Sequence, residues 1–174
     1  MISSLKLSRG AKKFWIGWSV FVILMLLVVV KGQLFSPVTF PVHFNLQIGI
    51  DKLMLAVQSV AVYVIFSLIP TRKALALPTM FFLFVWINHI IQIVPVIFGS
   101  RLIVTIIYLI FVISEGAFLY ALTAMSLNII DHVQYNDHGN YVFSWGATVW
   151  KTIKKMWPQL LIASGLYVIS FAIF

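Results

Sequence analysis

The chain alternates long apolar runs with short polar and basic breaks. Its longest run, residues 101–127, reads RLIVTIIYLIFVISEGAFLYALTAMSL and is apolar throughout except for Glu115 near the middle. About 20 consecutive apolar residues suffice for one helix to cross the hydrocarbon core of a bilayer, so this run predicts a membrane-spanning helix over residues 102–127. The same criterion predicts spans over about 14–31, 53–70, 79–98 and 157–174. The first follows a basic start in the manner of a signal peptide, but it is long. No small-x-small cleavage site follows it; the next residues are Lys31, Gly32, Gln33 and Leu34. It therefore reads as a retained helix. Helix punctuation falls where the breaks need it: Pro70-Thr71-Arg72-Lys73 after the second run, Pro78 opening the third, Gly99-Ser100-Arg101 closing it, and Pro158 in the first turn of the last.

Two stretches depart from this pattern. From Val38 to Ile50 every even position is apolar (Val38, Phe40, Val42, Phe44, Leu46, Ile48, Ile50), and the odd positions are polar or turn-forming. Period-two alternation is a strand signature and predicts an extended outer segment over residues 38–50. Its unpaired backbone suits addition to a partner's sheet edge; packing on the helix ends as an extended loop is the alternative. Residues 144–156 instead carry a helical stripe of Trp145, Val149, Trp150, Ile153 and Met156, with Lys151, Lys154 and Lys155 largely off it and Ser144 as N-cap. A basic helix with tryptophans on its apolar face predicts an interfacial helix lying in the headgroup layer. The alternative is a direct extension of the last span.

Composition changes the picture in one respect: it removes the soluble classes. The 174 residues are 62% hydrophobic and only 9% charged, with mean hydropathy +1.06, against about 25% charged residues in soluble domains. A polytopic all-α membrane protein of one domain is expected. The net charge of +8 bears on orientation, and no nucleic-acid partner is expected. With an N-terminus inside, the inner segments hold Lys6, Arg9, Lys12, Lys13, Arg72, Lys73, Lys151, Lys154 and Lys155, and the outer ones only Lys31, Lys52 and Arg101. That asymmetry predicts five spans, N-terminus cytoplasmic and C-terminus outside. A bacterial inner membrane is the expected location, with an organelle membrane as the alternative. No cysteine is present, so disulfides, iron–sulfur clusters and thiol nucleophiles are excluded.

Candidate chemistry concentrates at one depth. An ionisable residue at the centre of a span costs about 2.5–3.5 kcal/mol on the insertion scale, so Glu115 is the first candidate. At about 1.5 Å per residue, Glu115 and Gln58 lie roughly 18 Å from the inner ends of their helices and His89 roughly 15 Å. Three helices thus bring a hydrogen-bonding side chain to nearly one level, with Asn88 and Gln92 extending the polar face beside His89. A Glu115–His89 pair supported by Gln58 suits the handling of a proton, cation or polar solute. The competing reading is interhelical or subunit packing, which the small stripe of Ala117, Ala121 and Ala124, and Gly116 beside Glu115, also favours. His89 is the one histidine within a span, so no haem is expected. Asp131, His132, Asp137 and His138 match no metal spacing and read as a solvated loop. Nothing in the chain forms an enzyme motif. The sequence Ile113-Ser114-Glu115 among apolar and aromatic residues resembles the glutamate-bearing helix of haem–copper oxidase subunit III, over that helix alone and without the histidine and tryptophan signatures elsewhere.

Two functions follow as expectations. The first is a non-enzymatic subunit of a larger membrane complex, meeting lipids and other membrane subunits through residues 38–50 and helix 102–127. The second is a small transporter or channel component working through the Gln58–His89–Glu115 layer. No cofactor or metal is expected in either.

Overall fold

The computed structural model describes residues 7–29, 36–38, 45–135 and 140–173, and every regular element among them is helical. The elements are α1 (Arg9–Val29), α2 (Leu46–Phe66), a 3₁₀ turn (Arg72–Leu75), α3 (Ala76–Ile91), α4 (Ile93–Gly99), α5 (Leu102–Tyr135) and α6 (Tyr141–Phe171). Among the described residues, four stretches are long and apolar enough to cross a membrane: Arg9–Val29, Leu46–Phe66, Arg72–Gly99 and Leu102–Val133. Their outward faces carry large apolar side chains, among them Val28, Leu24, Phe81 and Ile103, each more than half exposed. In water such a surface would be unfavourable over its whole extent; against lipid tails it is the compatible one. The architecture is that of a multi-pass integral membrane protein.

The helix ends follow local chemistry. The Asn45 side chain accepts hydrogen bonds from the Gln47 and Ile48 amides at 3.0 and 3.3 Å, capping α2 well before the predicted start at residue 53. This corrects part of the predicted extended segment. Leu46, Ile48 and Ile50 lie in the first turns of a helix, because an N-cap that satisfies orphan amides outweighs a short alternating pattern. Phe40, Val42 and Phe44 lie outside the described residues. Val38 docks without a strand partner: its amide donates to the Pro95 carbonyl and its carbonyl accepts from the Ser100 hydroxyl, at 3.2 and 3.0 Å. Gly99 permits that approach, since a Cβ there would meet the Val38 backbone at 2.5 Å.

The third span is perturbed at a single residue. α3 stops at Ile91 and α4 resumes at Ile93, with Gln92 between them. Pro95 lacks an N–H and its ring crowds the carbonyl four residues earlier, that of Ile91, which places the discontinuity there. α5 is the opposite case, a helix of 34 residues, about 51 Å long at about 1.5 Å per residue. It exceeds the roughly 30 Å hydrocarbon core, so its far turns project beyond the span together with the start of α6.

The predicted interfacial helix and the predicted last span form one continuous α6 that runs through Pro158. The Asn140 side chain caps it at the Val142 amide, 3.1 Å away, so Ser144 falls inside the helix. The Pro158 ring faces an exposed turn, and the bond it forfeits is the one to the Lys154 carbonyl. The stripe of Trp145, Val149, Ile153 and Met156 packs on the bundle core, while Trp150 stands 71% exposed. Lys151, Lys154 and Lys155 are exposed on the same helix. The amphipathic pattern therefore reflects packing against helices.

Bonds at both ends hold α6 alongside α2. The Asn45 amide donates to the Ala172 carbonyl at 2.8 Å; at the other end Trp145 Nε1 donates to Ser67 Oγ and the Tyr141 hydroxyl to the Leu68 carbonyl, at 3.1 and 2.7 Å. α5 packs along α6 through much of its length, with Ala121 and Ala124 buried in the core and Ala117 exposed. Arg72, Lys73, Asp131 and the N-termini of α1 and α6 gather at what is here called the basic end of the bundle.

Candidate functional site

α3 and α5 meet through small-to-large complementarity. The Trp86 indole packs against α5 at Gly116, where an added Cβ would sit 2.5 Å from the ring. Its Nε1 donates to the Val112 carbonyl at 2.8 Å. The group that approaches Gly116 is thus an indole side chain. One turn beyond Trp86 on α3, His89 faces Glu115, the residue that precedes Gly116 on α5.

His89 Nδ1 lies 2.7 Å from Glu115 Oε2. The two side chains are 23% and 13% exposed, and aromatic rings surround them. Phe111 sits edge-on to His89 at a centroid distance of 5.1 Å, and Tyr167 stacks on both Phe111 and Phe118 at 5.9 Å. The Tyr108 hydroxyl donates to the His89 carbonyl at 3.1 Å and reaches the Gln92 side-chain oxygen at 3.4 Å, holding the end of α3 where the span is perturbed. An imidazole held to a carboxylate in this way has one ring nitrogen committed and the other left to face a second group. The pair can also pass a proton between its members without moving either helix.

The pair borders a cavity of about 240 Å³ between α2, α3 and α5, lined also by Lys52, Leu55, Ser59, Phe82 and Leu119. Lys52 is the residue that sequence reasoning assigned only to the charge balance. Lys52, Leu55 and Ser59 are spaced i, i+3, i+7, one helical face, and that spacing was the available signal once α2 is known to begin at Leu46. Lys52, His89 and Glu115, from three helices, therefore line one cavity within the spans.

The predicted layer is brought together in part. His89 and Glu115 pair directly, and Gln92 joins through Tyr108. Gln58 does not: it is exposed on the outer face of α2, because the face that carries Lys52 and Ser59 inward turns residue 58 away. Asn88 is half-buried on α3 and is not among the residues lining the cavity. The acidic residue Asp131 is engaged elsewhere, its Oδ1 accepting from Arg72 Nε and Nη2 at 2.8 and 2.7 Å, and His132 Nδ1 lies 2.8 Å from the Asn128 carbonyl on its own helix. A second polar knot, absent from the sequence reading, joins the Tyr63 hydroxyl to Thr79 Oγ1 at 3.1 Å and to Thr123 Oγ1 at 3.4 Å. Comparison with protein-family models, curated proteins and solved structures finds no match to the chain.

Proposed function

We propose that the chain is a small membrane transport component whose His89–Glu115 pair handles a proton or a small polar solute within the bilayer. The observation that supports this reading is the cavity beside the pair, shared with Lys52. A hydrogen bond made only to fix helix packing needs no space next to it. A site that exchanges a proton or admits a solute does. Lys52 and Glu115 balance in formal charge, so protonation of His89 leaves the cavity with one net positive charge, a change a bound solute would sense. The proposed orientation puts the basic end in the cytoplasm, following the lysine and arginine asymmetry.

The test is a proteoliposome assay with a pH-sensitive dye inside. The wild-type chain should dissipate an imposed proton gradient, and Glu115→Gln should abolish that flux while leaving the detergent-solubilised protein monodisperse. Undiminished flux in the variant would sink the proposal.

A second reading, a subunit of a larger membrane complex, is favoured by Gln58. An exposed amide in the middle of a span has no water to bond with, and a neighbouring subunit would satisfy it. Gentle-detergent purification with mass spectrometry separates the two. A stoichiometric partner lost on Gln58→Leu would establish the subunit contact, and a chain that purifies alone in both forms would remove it.

A further inference from the structure

A second cavity, larger than the one beside His89 and Glu115, lies away from that pair at the basic end. It measures about 510 Å³, within the usual range of about 300–1,000 Å³ for ligand pockets. Its wall is divided by chemistry. Arg9, Arg72 and Lys73 stand at the rim, all exposed, and Phe14, Trp15, Leu75 and Leu127 form apolar walls. Thr79 and Thr123, tied to Tyr63, contribute to the lining deeper in the spans. No carboxylate lines it, and among the described residues Arg72 alone of the three cations has an ion-pair partner, Asp131. The Trp15 indole Nε1 in this wall is buried without a hydrogen-bond partner among the described residues.

We propose that this cavity binds an acidic phospholipid, its phosphate between Arg9 and Lys73 and the start of one acyl chain along Phe14, Trp15 and Leu127. Charge complementarity selects an anion: Arg9 and Lys73 have no ion-pair partner among the described residues, and no carboxylate lines the opening. The apolar walls select an amphiphile over a free anion, because inorganic phosphate would leave Phe14, Trp15 and Leu127 unused. The cavity also lies at the basic ends of α1 and α3 beside α5, where cationic residues give way to apolar ones. The proposal rests on the membrane reading alone and is independent of the transport proposal.

The experiment titrates the purified full chain, in a neutral detergent, with phosphatidylglycerol, phosphatidylcholine or inorganic phosphate. Native mass spectrometry counts bound lipid, and the Tm reports stabilisation. One phosphatidylglycerol per chain should be retained at concentrations where phosphatidylcholine is not. Near a membrane surface each basic residue contributes about 1 kcal/mol to anionic-lipid attraction, so removing two weakens binding about thirtyfold. Arg9→Gln with Lys73→Gln should show a loss of that order, while Lys12→Gln with Lys13→Gln, basic residues at the same end that do not line the cavity, should stay within about twofold. Gly10 lines the cavity, and a Cβ there meets nothing within 4 Å. Gly10→Trp should therefore block binding with the charges intact and the circular dichroism unchanged, which keeps the proposal testable if the double variant fails to fold. Equal losses in the two double variants would mean diffuse surface attraction and overturn it. So would equal retention of phosphatidylcholine, undiminished binding in Gly10→Trp, or displacement of the lipid by inorganic phosphate.

Discussion

At Glu115 the energetic argument turns on asymmetry. Removing one member of a mostly buried pair leaves the other desolvated and unpaired, which costs on the order of 3–5 kcal/mol. Removing both members costs much less. Glu115→Leu should accordingly lower thermal stability in detergent more than the double variant His89→Leu with Glu115→Leu, and a double-mutant cycle would measure the coupling. Gly116 gives a second residue-scale prediction. A methyl group at this position must displace the Trp86 indole, whose six-membered ring is within 3 Å of the added carbon; overpacking of this kind costs about 1–3 kcal/mol. Gly116→Ala should lower the Tm and, by tilting α3 on α5, lengthen the His89–Glu115 contact and reduce any flux the pair supports. Unchanged stability would mean that the indole moves freely, and the close approach would then play no part in positioning the site.

At the scale of elements, two boundaries differ from the sequence reading for identifiable reasons. α2 begins at Leu46 because the Asn45 side chain satisfies two amides and the Asn45 backbone bonds Ala172. Loss of an N-cap of this type costs about 1 kcal/mol, and Asn45→Ala should lower the Tm accordingly, with the loss recovered by Asn45→Asp. α6 is continuous because Trp145 meets Ser67 and Val149, Ile153 and Met156 pack on the core. The chain has no native cysteine, so single-cysteine labelling can test this without background. Thr148 is 8% exposed and Trp150 71%. Trp150→Cys should therefore react with a water-soluble maleimide far faster than Thr148→Cys. Equal rates would instead fit a helix lying free in the headgroup layer.

For the whole molecule, the solvent is the deciding quantity. Apolar side chains cover the outside as well as the core, so association of the helices draws on close packing and interhelical hydrogen bonds. Trp18 to Met80, Trp86 to Val112 and Ser126 to Tyr63 supply such bonds between helices at 3.0, 2.8 and 3.2 Å. The exposed Arg72–Asp131 pair belongs to another regime. Its side chains are 54% and 34% exposed, and pairs in such surroundings contribute about 0–1 kcal/mol. Asp131→Asn should shift the Tm by only a degree or two, and less in high salt. A single cysteine replacing Lys12 should label only from the cytoplasmic side of intact cells if the proposed orientation is right.

The membrane architecture was legible in the sequence because length and apolarity are local properties: a run such as residues 102–127 has one compatible environment whatever its neighbours do. Depth along a helix is local too, since rise per residue is constant, and that is why His89 and Glu115 could be matched before their contact was seen. The rotation of a helix about its own axis is not local. Gln58 sits at the expected depth and faces away, while Lys52, read only as a charge, faces inward; mutual packing of α2, α3 and α5 decides that, and no single run encodes it. The same holds for α6. Its stripe fits a lipid surface or a helix surface equally well, and only the groove between α2 and α5 determined which one it covers.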